Sequence, residues 1–355
     1  MPIPTEPIGS IPRPADLIAA WADKQTGRIP IERFNQIADK ALKDTIRRFE
    51  ETGSPIITDG EQTKSSFATY PLDGAVGLAA DGVVVPFEDG HTRQLPRLVA
   101  GPFRYATYAS TYLAAAKRLT TLPVKQAVIS ASALSLLYPN TEIPGYPRAA
   151  FLSDLVDEAV SDIRTCLDHG ADSVQIDFTE GRLSLKLDPS GALLDSFVAL
   201  NNRVLDRFSP QERRRIGVHT CPGGDQDATH SASVDYAGLL PALFRIRAGR
   251  FYIQLASEQN PERVLTIIGE HRQSDQTVFV GVTDPINPTV ETAEQVRDRV
   301  LLAATYVPVL HLGTTDDCGF APFADDASTS REIAFDKIRA RIVGTALAAE
   351  RLGHG

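Results

Sequence analysis

Cysteine is scarce in this chain, with Cys166, Cys221 and Cys318 the only three in 355 residues. Three scattered thiols exclude a disulfide framework, and in a reducing compartment spaced cysteines more often mark a metal or a reaction. No apolar run reaches the roughly 20 residues a membrane helix needs. Met1-Pro2-Ile3-Pro4-Thr5 has neither the basic start nor the apolar core of a secretion signal, so the protein is expected to stay in the cytoplasm. Positive charge is short: 36 Lys and Arg face 45 Asp and Glu, a net charge of -9. The densest basic run, Arg213 to Arg215, reads as a solvated helix end, which excludes a nucleic-acid surface. Short-period repeats and low-complexity tracts are also missing.

What is present is an ordinary globular composition, 43% apolar and 23% charged, long enough for a large core. Average domain length suggests two domains, but parallel barrels of this size are routinely single, and residues 1–355 are read as one catalytic domain. A short apolar element at Pro7 to Pro12 is followed by helical patterns around Leu17 to Trp21 and Ile31 to Phe49. Pro55 to Thr58 is then a buried strand. Residues 62–107 change texture, rich in Gly, Pro and Thr, with β-like pieces at Val83 to Pro86 and Leu98 to Ala100. This region reads as a hairpin inserted after the second strand.

Beyond it, strand and helix alternate regularly. The apolar runs are Val124 to Ile129, Ser173 to Asp177, Ile216 to Val218, Phe251 to Leu255, Val278 to Val282 and Val309 to Leu312. Helical patterns follow them at 131–137 with 149–169, 193–208, 235–247, 262–271, 291–304 and 330–352. Continuously apolar rather than alternating strands belong to a parallel sheet covered by helices. With the two N-terminal strands there are eight units, so the expected fold is α/β, a single (β/α)8 TIM barrel, with a doubly wound open sheet as the alternative.

In such a barrel the chemistry sits where the strands end. The polar residues there are Ser10, Glu61, Ser130, Asp177, His219 with Cys221, Gln254, Asp284 and Asp316-Asp317-Cys318. Two of the three cysteines fall on this rim, while Cys166 lies in a helix with Ile163 and reads as core. Alone, His219-Thr220-Cys221 reads as a satisfied histidine beside a buried cysteine. Barrel closure changes that, because it brings Cys318 to face the pair. Two thiolates and an imidazole suit Zn(II) and leave a coordination position for something else. Zinc that holds an exogenous thiol deprotonates it at neutral pH, which points to alkyl transfer onto sulfur; hydrolysis by bound hydroxide is the competing zinc chemistry.

Five motifs in order, Ile8-Gly9-Ser10 with Ile11-Pro12-Arg13, Thr58-Asp59-Gly60-Glu61, Val174-Gln175-Ile176-Asp177, His219-Thr220-Cys221 and Asp317-Cys318-Gly319, resemble the catalytic barrel of the cobalamin-independent methionine synthase family. The resemblance covers most of the chain but not the additional N-terminal barrel of the family's long form. It implies a zinc-dependent methyltransferase in methionine biosynthesis, with His219, Cys221 and Cys318 as zinc ligands. It further implies that Ile8, Gly9 and Ser10 hold the carboxylate of homocysteine and that Glu61 and Asp177 hold its ammonium. A charged amine taken out of water needs such carboxylates. The partners implied are a small-molecule thiol and an alkyl donor, with no nucleic acid and no membrane.

The chain departs from the family pattern in three places. Gln254 stands where the family has a carboxylate zinc ligand, leaving Gln254, Glu258, water or substrate for the fourth position. The family's proton-donating histidine is missing after Gly281-Val282-Thr283-Asp284, and His230, nine residues past Cys221, is the replacement candidate. The family's folate-stacking tryptophan is absent from the third strand's end; the lone Trp21 lies in the first helical region. The donor is therefore open among folate, methylcobalamin, an epoxide or another electrophile, as is the oligomeric state. A second zinc barrel, the epoxyalkane:coenzyme M transferase, is similar in its His-x-Cys and distant Cys. It needs a basic pocket for a sulfonate, for which Arg13, Lys64, Arg104 and Arg182 are candidates. An alternative of another class is a metal-free lyase like the uroporphyrinogen decarboxylases.

Overall fold

In a computed structural model, which describes residues 2–354, six strands form one parallel sheet: β1 (Gln126–Ile129), β2 (Val174–Asp177), β3 (Ile216–Thr220), β4 (Arg250–Ile253), β5 (Thr277–Thr283) and β6 (Leu312–Asp316). Each pairs in parallel with its neighbours in sequence, so the spatial order repeats the chain order. Nearly every strand residue is buried, the burial that continuous apolar runs demand. The registers align Asp177 with His219, and Tyr252 with His219 on the other side.

Beyond each edge of the sheet one more segment makes a single parallel bridge, Thr5 with Thr314 and Ile57 with Val124. These two segments touch each other: Ile11 N donates to Gly60 O at 3.0 Å, and Thr58 Oγ1 donates to Gly9 O at 2.8 Å. The sequence predicts full strands at Pro7 to Pro12 and Pro55 to Thr58. The first bridge falls instead at Thr5, before that stretch, and the second is the single one at Ile57, because prolines 4, 7, 12 and 55 supply no N–H to a ladder.

The expected last strand at Val309 to Leu312 is displaced. Val309–His311 is a 3-10 turn after Pro308, and the strand starts at Leu312 and runs to Asp316. The helix expected over 235–247 shrinks to a turn at Tyr236–Gly238 and four residues at Leu240–Leu243, interrupted by Gly238 and Pro241. Three helices lie outside the expectations, Ser110–Lys117, Glu180–Leu187 and the four-residue Pro210–Arg213, the second beginning three residues after Asp177.

Residues 62–107 contain the inserted hairpin. Val84–Pro86 pairs antiparallel with Thr92–Gln94, and Leu78–Ala79 with Arg97–Leu98. Its tip is tied to the loops after β3 and β6. Arg93 Nε lies 2.5 Å from Asp225 Oδ2, Arg93 Nη1 lies 2.9 Å from Asp325 Oδ2, and Glu88 N donates to Thr229 O. Among the described residues no helix is long and apolar enough to cross a membrane.

Candidate metal and thiol site

His219 is the fourth residue of β3, and Cys221 follows the strand's end. Pro222, then Gly223 at φ +72°, turn the chain out of the sheet. Cys318 lies two residues beyond β6. One ligand atom from each of His219, Cys221 and Cys318 falls within 4.8 Å of the others. The two sulfurs are free thiols 2.9 Å apart, and both ring nitrogens of His219 are buried without a hydrogen-bond partner. A buried imidazole with two orphaned nitrogens costs free energy unless something completes it, and two thiols with one imidazole are a donor set that fits Zn(II).

Asp317 holds this end of β6 against β4. Its carboxylate accepts the N–H groups of Leu255, Ala256 and Ser257 and the Ser257 hydroxyl, at 2.7–2.8 Å. Burial nonetheless pushes its pKa up to about 6. Gly281 permits the approach, since a Cβ there would collide with Asp317 Oδ1.

A small cavity adjoins the cluster and is lined by Ile8, Gly9, Ser10, Glu61, Asp177, His219 and Cys318, with Phe67, Gln175, Thr179, Gly223, Gly224, Gly319 and Pro322. The structure thus gathers five separate stretches of chain at one place. Ser10 Oγ accepts Ala321 N at 3.2 Å, and Gly319 passes so close that a Cβ would strike that hydroxyl. Glu61 sits at φ +55°, a left-handed conformation that costs about 1 kcal/mol or more for a residue with a Cβ. Its backbone is held there by Asp59 Oδ1, which accepts Glu61 N, and by Arg13 Nη2, which donates to Glu61 O. Burial pushes the Glu61 carboxyl up to about 7, against the pull of the Lys64 ammonium 3.2 Å away. Burial likewise raises Asp177, whose Oδ1 accepts Gln175 Nε2 at 2.7 Å.

The remaining sequence candidates are placed as follows. Gln254 Nε2 donates to Ser257 Oγ and Glu258 Oε1, while its Oε1 is buried and unpartnered. Glu258 is turned to Arg182, with 3.1 Å between Oε1 and Nη1. His230 is buried, stands against Gly223 and packs edge-on to Phe87. Burial pulls its pKa down to about 4, which leaves it neutral at pH 7. The cations considered for a sulfonate are committed elsewhere. Arg13 donates to four backbone carbonyls, Lys64 to Glu61 and Ala127 O, Arg182 to Glu258, Ala232 O and Val234 O, and Arg104 to Phe103 O and Asp154 at the surface.

Ser130 caps the helix Ala131–Leu134 and, with Ser132, donates to Glu180 Oε1. Glu180 was not among the sequence candidates because its helix carries Gly181 and Ser184, weak helix formers, in its first turns.

A family model described as "Cobalamin-independent synthase, Catalytic domain" matches residues 3–333. The chain belongs to this family. Relatives within reach of it include the methionine synthase of Pyrococcus furiosus, 22% identical over 336 residues, covering 95% of this chain and 90% of that protein. The 5-methyltetrahydropteroyltriglutamate–homocysteine methyltransferase of Streptomyces coelicolor is 23% identical, and there the match covers 90% of this chain but 39% of the longer protein. Among solved structures, a B12-independent methionine synthase from Shewanella sp. W3-18-1 in complex with selenomethionine superposes with a TM-score of 0.76 at 19% identity, over 99% of both chains. Family membership bears out the resemblance seen in the five motifs.

Proposed function

We propose that the chain is a zinc-dependent thiol alkyltransferase that methylates homocysteine to methionine. We read residues 2–354 as one catalytic unit, with 62–107 as its insertion. The two edge segments, joined through Ile11 and Gly60, serve as the first and second strands of a closed eight-stranded barrel. Zinc held by His219, Cys221 and Cys318 would keep a substrate thiol deprotonated at neutral pH.

The protein's own groups then orient the amino acid. The backbone of Ile8 and Gly9 and the Ser10 hydroxyl meet its carboxylate, and Glu61 and Asp177 meet its ammonium. An ammonium approaching Glu61 and Asp177 lowers both raised pKa values, so binding draws the carboxyls into their charged forms. His230, neutral at pH 7 and lining the larger cavity behind Gly223, offers the alkyl donor a hydrogen bond rather than an acidic proton.

The observation that carries this reading is the convergence of two buried carboxyl groups, Glu61 and Asp177, with His219 and Cys318 of the His/Cys/Cys cluster on one cavity. Coenzyme M is disfavoured because the candidate cations are all occupied. Metal analysis and calorimetry test it together. Close to one zinc per chain is expected in protein purified without chelator, lost in Cys221→Ser and Cys318→Ser, with homocysteine binding and coenzyme M not. Zinc retained by both variants, or coenzyme M bound in preference, overturns the reading.

A further inference from the structure

Lys64 follows Glu61 by three residues, and its side chain is shut off from solvent altogether. A lysine is almost never fully buried unless it is paired, and this one is matched on every side. Its Nζ donates to Glu61 Oε1 at 3.2 Å and to Ala127 O, on β1, at 2.9 Å. The Tyr70 ring stands 4.7 Å from Nζ and the Tyr112 ring 5.7 Å, close enough for both aromatic faces to stabilise the cation. The Tyr70 hydroxyl is fixed in turn by Asp162, on the helix Arg148–Asp168. Arg13 Nη2 donates to both Glu61 O and Lys64 O, so the turn that carries the two side chains is itself clamped.

The Lys64 ammonium is placed to touch no ligand. It lines neither the thiol pocket nor the larger cavity of about 510 Å³ that Trp21, Phe87 and Phe323 help to wall. Its link to the site is Glu61, and among the described residues no other side chain donates to that carboxylate. Asp177 differs, since its donor is the neutral amide of Gln175. Charge counting gives this asymmetry a purpose. Two ionised carboxylates facing one substrate ammonium would leave a surplus negative charge in a buried place, which is costly. With Lys64 behind Glu61 the count closes at zero. Asp59 and Arg13 also act on Glu61, but with opposite signs. Burial pushes the Glu61 carboxyl up to about 7 even with the ammonium beside it, so without Lys64 it would hold its proton at neutral pH.

We propose that Lys64 is a positioning residue, a buried cation that keeps Glu61 charged and aimed so that Glu61 and Asp177 can both meet one substrate ammonium. This assignment rests on the reading of the thiol pocket as an amino-acid site.

Calorimetry of the full-length, zinc-loaded protein with L-methionine tests it. Methionine is the product of the proposed reaction, carries the same ammonium and carboxylate as homocysteine, and has no thiol to ionise. Lys64→Met is expected to bind it about tenfold more weakly than wild type at pH 7, and the gap should narrow to about threefold or less by pH 8.5, where Glu61 loses its proton unaided. Zinc content should stay at the wild-type level. A lysine that only supports the fold would give the same loss at both pH values. That result overturns the proposal, as does wild-type affinity at pH 7. Where the single variant does not fold, Glu61→Gln/Lys64→Met buries no unpaired charge and takes its place. It should bind methionine at least as tightly as Glu61→Gln alone, because a residue that acts through Glu61 has nothing left to act on. Weaker binding by the double variant overturns the proposal. Methionine that fails to bind the wild type refutes the amino-acid reading and this assignment with it; binding to the wild type, with a loss that ignores pH in the variant, refutes this assignment alone.

Discussion

Gln175 donates its Nε2 to Asp177 Oδ1 at 2.7 Å and accepts Lys125 Nζ on its own Oε1 at 2.8 Å, so a single amide joins a buried ammonium to a carboxylate of the thiol pocket. The amide orients the Asp177 carboxylate from within the cavity's lining. Gln175→Leu should raise the KM for homocysteine by about tenfold, the loss of one hydrogen bond to a charged group, while kcat and zinc content stay close to wild type. A matching loss of zinc would show that the amide supports the fold instead.

Asp177→Asn removes the charge and keeps the shape. It is expected to weaken homocysteine binding, read by calorimetry, far more than zinc binding, read by metal competition. Equal loss of both would make Asp177 a support for the metal rather than a contact for the ammonium.

Asp317 carries four hydrogen bonds that fasten the end of β6 to the chain leaving β4. Asp317→Ala orphans three backbone N–H groups, a cost of about 3 kcal/mol in unfolding free energy, measurable by urea denaturation. Gly281→Ala should destabilise through the same contact, since its methyl group would occupy the space of Asp317 Oδ1. A neutral outcome for both would deny Asp317 its anchoring role.

His230 makes stability depend on acid. Its pKa is near 6.5 when unfolded and about 4 in the fold, so between these values the unfolded chain binds more protons. Its contribution is therefore complete above pH 6.5 and is lost as the pH falls towards 4, to a total on the order of 3 kcal/mol. Denaturation curves for wild type and His230→Gln should converge in this window as the pH is lowered. Parallel curves would contradict the shift.

The parallel sheet was legible because its strands are unbroken apolar runs, and the His/Cys/Cys cluster because cysteine is rare enough for two rim thiols to stand out. Prolines 4, 7, 12 and 55 cut the edge segments short, so each pairs with the sheet through a single bridge, with Glu6 N donating to Thr314 O and Ile57 N to Pro123 O. Pro308 moved the start of β6 by three residues, because the apolar Val309 and Leu310 fall in a turn. Glu180 was hidden by a helix of weak formers, although an acid three residues past Asp177 at a strand's end was a signal available to find it. Whether Arg13 and Arg182 are free or engaged is a tertiary property; their partners lie on other stretches of chain and carry no mark in the local pattern, whereas Lys64 pairs with Glu61 three residues before it.

Trp21 is the only tryptophan in the chain, and it lies in the wall of the large cavity, edge-on to Phe34 at 4.6 Å. The indole emission of the whole protein therefore originates beside one binding space. Spectral position and quenching become an intrinsic optical gauge of occupancy, with no label attached and no second indole to subtract.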